Sequence, residues 1–401
     1  MSKSRHVTPP TPLTAARDRG PSRYFHGRER IQHNFKELLR RATQAGGGTT
    51  FLIQGAPGVG KTALLYECGN HARAQEWKVV NIGVESLWKP YKMLDALGLA
   101  DKYKPTEKSV QFELKEFFSG GYKSTRPEPT VESILKDGSQ PLLLVLDEAQ
   151  ALADEDVPPP QHKASAIHVL EFIHNGELGR PVILLTAGLG KTLTGFGRLG
   201  ISRFAKNCRI ELGPLSKEAE RAVIQDWLKK EGKAKGDPTS WIDIIAREAH
   251  GWPHHIQAYV EPAIDQLKAD DRVMTTSGIS AVLEVGEQAR LAYYQERAYG
   301  FPAEARQSLI KAYADVALGK STTQSVIMAS LSQDFGPDRA KELFNEALRK
   351  GLLDERDGRY VIPIPSMHAW LKDEYGRERI EIPPAPTMGH SFQERDSGRE
   401  R

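Results

Sequence analysis

Long apolar runs are missing from this sequence. No window approaches 18 uninterrupted apolar residues, so no membrane-spanning helix is expected. The first residues lack the apolar stretch of a secretory signal. Cysteine is scarce: Cys68 and Cys208 are the two thiols in 401 residues. That is too few for a disulfide framework and suits a reducing compartment, so a cytoplasmic location is expected. An excess of charge of one sign is also missing. The formal net charge is +3, but Lys3, Arg5, Arg17, Arg19 and Arg23 stand against Asp18 in residues 1–23, so the rest of the chain carries about −1. Bulk charge gives no argument for nucleic acid. The composition of a disordered chain is absent as well, because 39% apolar residues suffice for the cores of two or three domains. The ends differ. Residues 1–23 read as a basic, Pro-containing disordered arm, and residues 377–401 as a Pro- and charge-rich tail.

What is present starts at Thr50. In "TFLIQGAPGVGKTALLYECG", Phe51, Leu52 and Ile53 make a short buried strand. Gly55-x4-Gly60-Lys61-Thr62 follows, and then "ALLYECGNHARA" with helical spacing. Strand, Gly-rich loop and helix are the context a phosphate-binding loop needs. Gly55, Gly58 and Gly60 permit torsions closed to other residues, so the N–H groups of Gly55, Ala56, Pro57-flanked Gly58, Val59, Gly60 and on to Ala63 turn inward around phosphate oxygens. The following helix adds its positive end. Lys61 is placed for the β- and γ-phosphates of ATP, and the Thr62 hydroxyl for Mg²⁺. The Gly190-Lys191-Thr192 triplet is a decoy, since Leu185 stands where the pattern needs its first glycine.

"PLLLVLDEAQ", Pro141 to Gln150, is a continuous apolar run, as in a parallel strand covered on both faces. Its carboxyl end carries Asp147, read as the water-mediated Mg²⁺ ligand, and Glu148, read as the general base. A third strand, "RPVILLTAG", brings Thr186 near its end, either to order the attacking water or as a plain strand-terminal residue.

Together these stretches resemble the AAA+ ATPases of the initiator branch, the origin-recognition-like bacterial and archaeal ATPases, at their border with the STAND NTPases. "FHGRE", Phe25 to Glu29, is similar to the box that precedes the phosphate loop in that branch, and the resemblance implies that Phe25, Gly27 and Arg28 lie against adenine. Arg203 stands where the family keeps its arginine finger, with Arg198 a nearby rival. The resemblance implies an α/β core at 24–213, a helical lid at 214–299 and a winged-helix domain at 300–376. It also implies ATP or ADP with Mg²⁺ as ligands, and a homo-oligomer or a partner ATPase. Ser216 is the expected cap of the first lid helix, "TSWIDIIAREA" the second, and Pro253 the start of the third.

"HGWPHHIQ" falls at the lid position where the initiator family often carries an arginine. Here Gly251-Trp252-Pro253 resembles the Gly-x-Pro turn of STAND proteins, which places Pro253 on the nucleotide. Adjacent helical residues do not face one way, so His254 and His255 are poor joint metal ligands. Either one of them, His255 the named candidate, reaches phosphate, or both are solvated or capping. Met367-His368 resembles the STAND pair whose histidine touches ADP, with Ala369 in place of the usual acidic residue; the alternative is a helix start with His368 on a partly buried face.

Near the C-terminus, helices at 301–320, 321–336 (capped by Ser321) and 337–351 precede a hairpin turning at Asp357-Gly358. Helices and hairpin together make the winged helix. Its third helix and the basic arm are the expected DNA contacts, with docking or autoinhibition the alternative. The region 88–136 has no assignable role. Two functions follow from the resemblance. One is an ATP-hydrolysing switch that assembles on DNA. The other is a STAND-like signalling ATPase whose winged helix regulates and whose partner is protein.

Overall fold

A computed structural model describes residues 24–100, 129–205, 207–313 and 320–377. The basic arm, most of the tail and much of the 88–136 region lie outside the described residues.

Five parallel strands form the central sheet. They are β1 (Gly48–Gln54), β2 (Lys78–Asn81), β3 (Leu142–Leu146), β4 (Val182–Gly188) and β5 (Arg209–Glu211), in the order β2-β3-β4-β1-β5. Every residue of β3 and β4 is buried, which explains why they read as apolar runs without alternation. The pleat still divides them. Phe51, Ile53, Leu143, Val145, Ile183 and Leu185 pack on one face with helices α1 (Glu29–Ala45) and α2 (Lys61–Arg73). Leu52, Leu144, Leu146 and Leu184 face the other way. There they meet α3 (Pro90–Ala96), α4 (Val131–Lys136), α5 (Lys163–Asn175) and α6 (Thr192–Arg198). Each such side chain contributes about 1.5–3 kcal/mol by leaving water, so one charged substitution on either face would be severe.

The insertion of β4 between β1 and β3 positions the site. Gln54 pairs with Gly188, and Leu146 with Thr186. The loop after β1 and the acidic pair after β3 therefore stand two strand spacings apart, about 10 Å.

The lid follows. Helix α7 (Lys217–Asp226) is capped as expected, Ser216 Oγ accepting the Ala219 N–H at 3.2 Å. Next come α8 (Thr239–Ala249) and α9 (Pro253–Ala269), and then a long helix, α10 (Thr276–Ala298), that sequence patterning did not single out. Thr275 caps α10, accepting the Gly278 N–H at 2.9 Å.

The C-terminal module contains α11 (Ala303–Ala312), α12 (Gln324–Phe335), α13 (Pro337–Lys350), the hairpin β6 (Asp354–Arg356) and β7 (Arg359–Val361), and α14 (Pro365–Arg377). This is the helix-and-hairpin order of a winged helix. Asp357 and Gly358 both have positive φ, as a tight hairpin turn requires. One local expectation is corrected. Ser321 does not cap α12, which begins at Gln324 after Thr323. Ser321 Oγ instead accepts Arg359 Nε at 2.7 Å, and neighbouring Thr322 bridges to Tyr360.

The apolar core runs without a break from the α1/α2 face of the sheet through Trp252, Tyr293 and Tyr294 into the C-terminal module. Tyr294 packs on Trp370 and donates its hydroxyl proton to Ser366 Oγ at 2.6 Å. The module is thus seated on the ATPase core.

Candidate nucleotide site

The loop between β1 and α2 is shaped by glycine. Gly58 and Gly60 have φ of +74° and +93°, a backbone that strains any other residue. A Cβ on Gly58 would stand 2.9 Å from the His254 Cβ and 3.0 Å from the Trp252 indole nitrogen. Lys61 opens α2 and is buried. Its Nζ donates to the carbonyls of Gly55 at 2.8 Å and Ala56 at 3.1 Å. Burial pushes its pKa down to about 8, against an upward pull from Glu148, Asp147 and Asp354. A buried cation held only by carbonyls of its own loop is ready to exchange them for phosphate oxygens.

Thr62 Oγ1 donates to Asp147 Oδ2 at 2.7 Å. A hydroxyl and a carboxylate meeting at the end of a phosphate loop are hard oxygen donors, and this pair fits Mg²⁺. Glu148 is exposed and left-handed at φ 55°, an uncommon conformation for a non-glycine residue and one that clusters at functional sites. Its N–H donates to Asp147 Oδ1 at 2.9 Å, and its carboxylate accepts from Gln150 Nε2.

The lid closes over the loop. His254 N–H donates to Gly58 O at 3.2 Å. The Pro253 Cγ lies 3.7 Å from where a Gly60 Cβ would be. Tyr293 on α10 donates its hydroxyl proton to Pro57 O at 2.9 Å, and the His254 ring stacks on it at 4.1 Å. Arg297, one turn on, covers the other part of that ring at 4.5 Å. Burial first, and the Arg297 charge second, bring the His254 pKa down to about 4.

His255, expected as the candidate for phosphate, lies on the inner side of α9. Its ring is fully buried among Trp252, Tyr293 and Tyr294, and burial depresses its pKa to about 3, against a smaller upward pull from the Ala249 backbone. The reason is helical geometry: successive residues diverge by about 100°, so with His254 on the loop, His255 turns into the core. His368 is also buried, with Tyr313 of its own module as ring neighbour. The module reaches the loop through other residues. A Cβ on Gly351 would meet Pro57 Cγ at 2.8 Å, and Asp354 Oδ1 accepts the Gly190 N–H at 2.9 Å.

At the opposite end, Phe25, Gly27 and Arg28 lie between core and lid. Gly27, at φ +83°, touches Ala219 so closely that no Cβ fits. Arg28 Nη2 donates to Gly213 O at 2.6 Å, and His26 pairs with Asp226 at 2.9 Å. The Arg28 guanidinium is thus occupied in fastening this strap. Thr186 is fully buried within β4, its hydroxyl shielded from solvent and without a protein partner. Gln54 and Gln150 stand at that strand end. Gln54 Nε2 donates to Gly190 O at 2.7 Å, and Gln150 Oε1 accepts the Leu189 N–H at 3.2 Å. Arg203 is exposed. Its rival Arg198 donates to the carbonyls of Ala153, Asp154 and Glu155 at 2.7–2.9 Å.

Gln54, Gln150, Tyr293, Arg297 and Asp354 were not reached from sequence. Gln150, two residues after Glu148, and Gln54, just before the loop, had a signal in their position; Asp354 had none.

Residues 24–184 match the family model of the AAA ATPase domain. No curated protein matches the chain. Among solved structures, the Walker-type ATPase of Pyrococcus abyssi superposes with TM-score 0.51 at 16% identity, covering 87% of this chain and 96% of that one. The ADP form of the Aeropyrum pernix ORC2 protein gives 0.55 at 12% identity, over 92% and 98% of the two chains. Its ADPNP–ADP complexes give 0.53 at 14%, over 91% and 98%. At these identities the likeness is one of fold. Among the described residues no helix is long and apolar enough to cross a membrane.

Proposed function

We propose that this chain, an ATPase by its AAA domain over residues 24–184, is a switch in which bound nucleotide sets the seating of the C-terminal winged helix, and that it works in an assembly on DNA. Gly55 to Ala63 wrap the phosphates, with Lys61 releasing its two carbonyls to bind the β- and γ-phosphates. Phe25, Gly27 and Arg28 line the adenine end, and Pro253 covers the loop from the lid. Thr62 and Asp147 hold Mg²⁺, which when bound neutralises charge on the phosphate oxygens. Glu148 takes a proton from water as the water oxygen attacks the γ-phosphorus, and the β–γ bridging oxygen leaves on ADP with the electron pair of its bond. Arg203, exposed and free of the role that holds Arg198, offsets developing charge in the site of an adjoining subunit.

The observation that carries the switch is the packing of Gly351 on Pro57, with Tyr293 donating to the carbonyl of that same proline. A γ-phosphate that reshapes the loop must disturb both contacts, one to the lid and one to the winged helix. Paired labels on an exposed position of α13 and on α1 would test this by energy transfer. Different distances with ADP and with a non-hydrolysed ATP analogue are expected; equal distances in every state would overturn the switch.

One observation favours the protein-partner reading over DNA. The hairpin tip is engaged on the edge of the sheet, through Arg209 to Asp357 and Arg356 to Glu211, where a DNA-contacting wing would need to be free. The exposed Arg339 and Lys341 on α13 remain open to phosphates. Absence of DNA binding at low salt with either nucleotide would transfer the function to a protein partner.

A further inference from the structure

The winged-helix hairpin is linked to Glu148 by hydrogen bonds. Asp354, 4% exposed, accepts the Gly190 N–H at 2.9 Å. Gly190 O is held by Gln54 Nε2 at 2.7 Å. The adjoining Leu189 N–H donates to Gln150 Oε1 at 3.2 Å, and Nε2 of that same amide donates to the Glu148 carboxylate. The turn has no slack. A Cβ at Gly188 would collide with Thr192 Oγ1 and stand 3.0 Å from Gln150, and one at Gly190 would meet Asp354 at 2.5 Å and the Glu355 backbone. The route crosses from the C-terminal module to the catalytic edge of the sheet in three side chains.

We propose that Gln150 is a positioning residue that parks Glu148 away from the attacking water, and that Asp354 of the docked hairpin holds it in that state by fixing the 189–190 turn. The proposal rests on reading Glu148 as the general base. An amide N–H donated to a carboxylate occupies a lone pair that would otherwise take the water proton. The Glu148 main chain is fixed at the same time by its own N–H to Asp147, so the Gln150 amide acts on a side chain whose backbone is already placed. Undocking of the hairpin removes the acceptor of Gly190, the turn relaxes, and the Leu189 N–H no longer fixes the Gln150 amide. Hydrolysis is then slow while the winged helix is seated and faster when a partner lifts it off. The hairpin thereby acts on kcat without touching nucleotide.

The test uses full-length protein and measures steady-state hydrolysis and the affinity of a fluorescent ATP analogue. Glu148→Gln comes first; undiminished turnover in it would mean the base is misassigned, a failure separate from that of the tether. With the base established, Gln150→Ala should raise kcat by about tenfold, the order of one charge-assisted hydrogen bond, with KM and analogue affinity unchanged. Asp354→Ala should raise kcat similarly in the wild-type background and add nothing in the Gln150→Ala background, as two links of one route must. Asp354→Asn keeps an acceptor for Gly190 and should restore the slow rate, which separates the hydrogen bond from loss of fold. An unchanged or lower kcat in Gln150→Ala, or equal effects of Asp354→Ala in both backgrounds, would overturn the proposal.

Discussion

Arg209 joins the tip of the C-terminal hairpin to the residue just before the phosphate loop. Its Nη2 donates to Asp357 Oδ1 at 2.7 Å, and its Nε to Gln54 Oε1 at 3.0 Å. The Asp357 side chain is 74% exposed, so the pair adds about 0–1 kcal/mol to docking and is weakened by salt. A latch of that size is easily opened by a competing ligand. Arg209→Ala is therefore expected to loosen the hairpin tip, which Arg356–Glu211 and Asp354–Gly190 still hold, without unfolding the module, whose apolar core stays shared with the ATPase domain. If DNA is the partner, affinity should rise a few-fold in this variant. Arg339→Ala with Lys341→Ala should then flatten the slope of log affinity against log salt, by about 0.9 for each DNA phosphate that is no longer neutralised. Salt titrations of the wild type, Arg209→Ala and the Arg339→Ala/Lys341→Ala protein check this, and identical slopes would remove α13 from the interface.

The chemistry divides between separable residues. Lys61→Ala should lose nucleotide affinity. Glu148→Gln should bind ATP and fail to cleave it. Arg203→Ala should bind ATP normally and lose hydrolysis only in the assembled state, as expected of a guanidinium that serves a neighbour's site. Mixing Arg203→Ala with Glu148→Gln protein should regain part of the activity, since each supplies what the other lacks. A strictly monomeric protein with full turnover at every concentration would exclude the finger.

The buried histidines make a prediction about acid. His255 and His254 titrate at about 3 and about 4 in the fold, against about 6.5 in an unfolded chain. Between these values the unfolded state binds more protons, so the stability is complete above about pH 6.5 and is lost progressively as pH falls toward 3. His255→Phe removes the titratable ring and keeps an aromatic one in its place. It should be folded, less acid-labile, and unchanged in ADP dissociation. His255→Ala leaves a cavity and should cost about 2–4 kcal/mol. Thermal melts from pH 4 to 7 and ADP release rates check both; faster ADP release in His255→Phe would return the ring to the nucleotide.

The phosphate loop, the acidic pair and the β6–β7 turn were legible in the sequence because each is local chemistry at fixed spacing: Gly60-Lys61-Thr62, Asp147-Glu148, Asp357-Gly358. The roles of neighbours across the fold were not. His254 and His255 look equivalent in sequence, and only the rotation of α9 over Gly58 distinguishes them. Thr186 sits near a strand end, yet the strand runs two residues further, to Gly188, and buries it. Tyr293 lies 236 residues from Pro57, whose carbonyl it holds, in a helix whose apolar positions carry no mark of the site. Asp354 reads as one acid among several in "DERDGR" until its burial against Gly190 is seen.

Lys61 gives the last prediction. Its ammonium pKa of about 8 in the nucleotide-free protein results chiefly from burial. Phosphate oxygens stabilise the charged form and raise the pKa in the complex. Below about pH 8 the lysine is already charged, and binding exchanges no proton with it. Above about pH 8 the free protein has lost the proton while the complex keeps it, so binding takes up one proton and affinity weakens as pH rises, by up to tenfold per unit. Calorimetry of ADP binding at pH 7 and pH 9, each in two buffers of different ionisation enthalpy, measures the uptake directly. Near-zero uptake at pH 7 and a value approaching one at pH 9 are expected. Equal uptake at both, or affinity independent of pH across that range, would show that Lys61 is charged throughout and that its two carbonyl partners offset its burial in full.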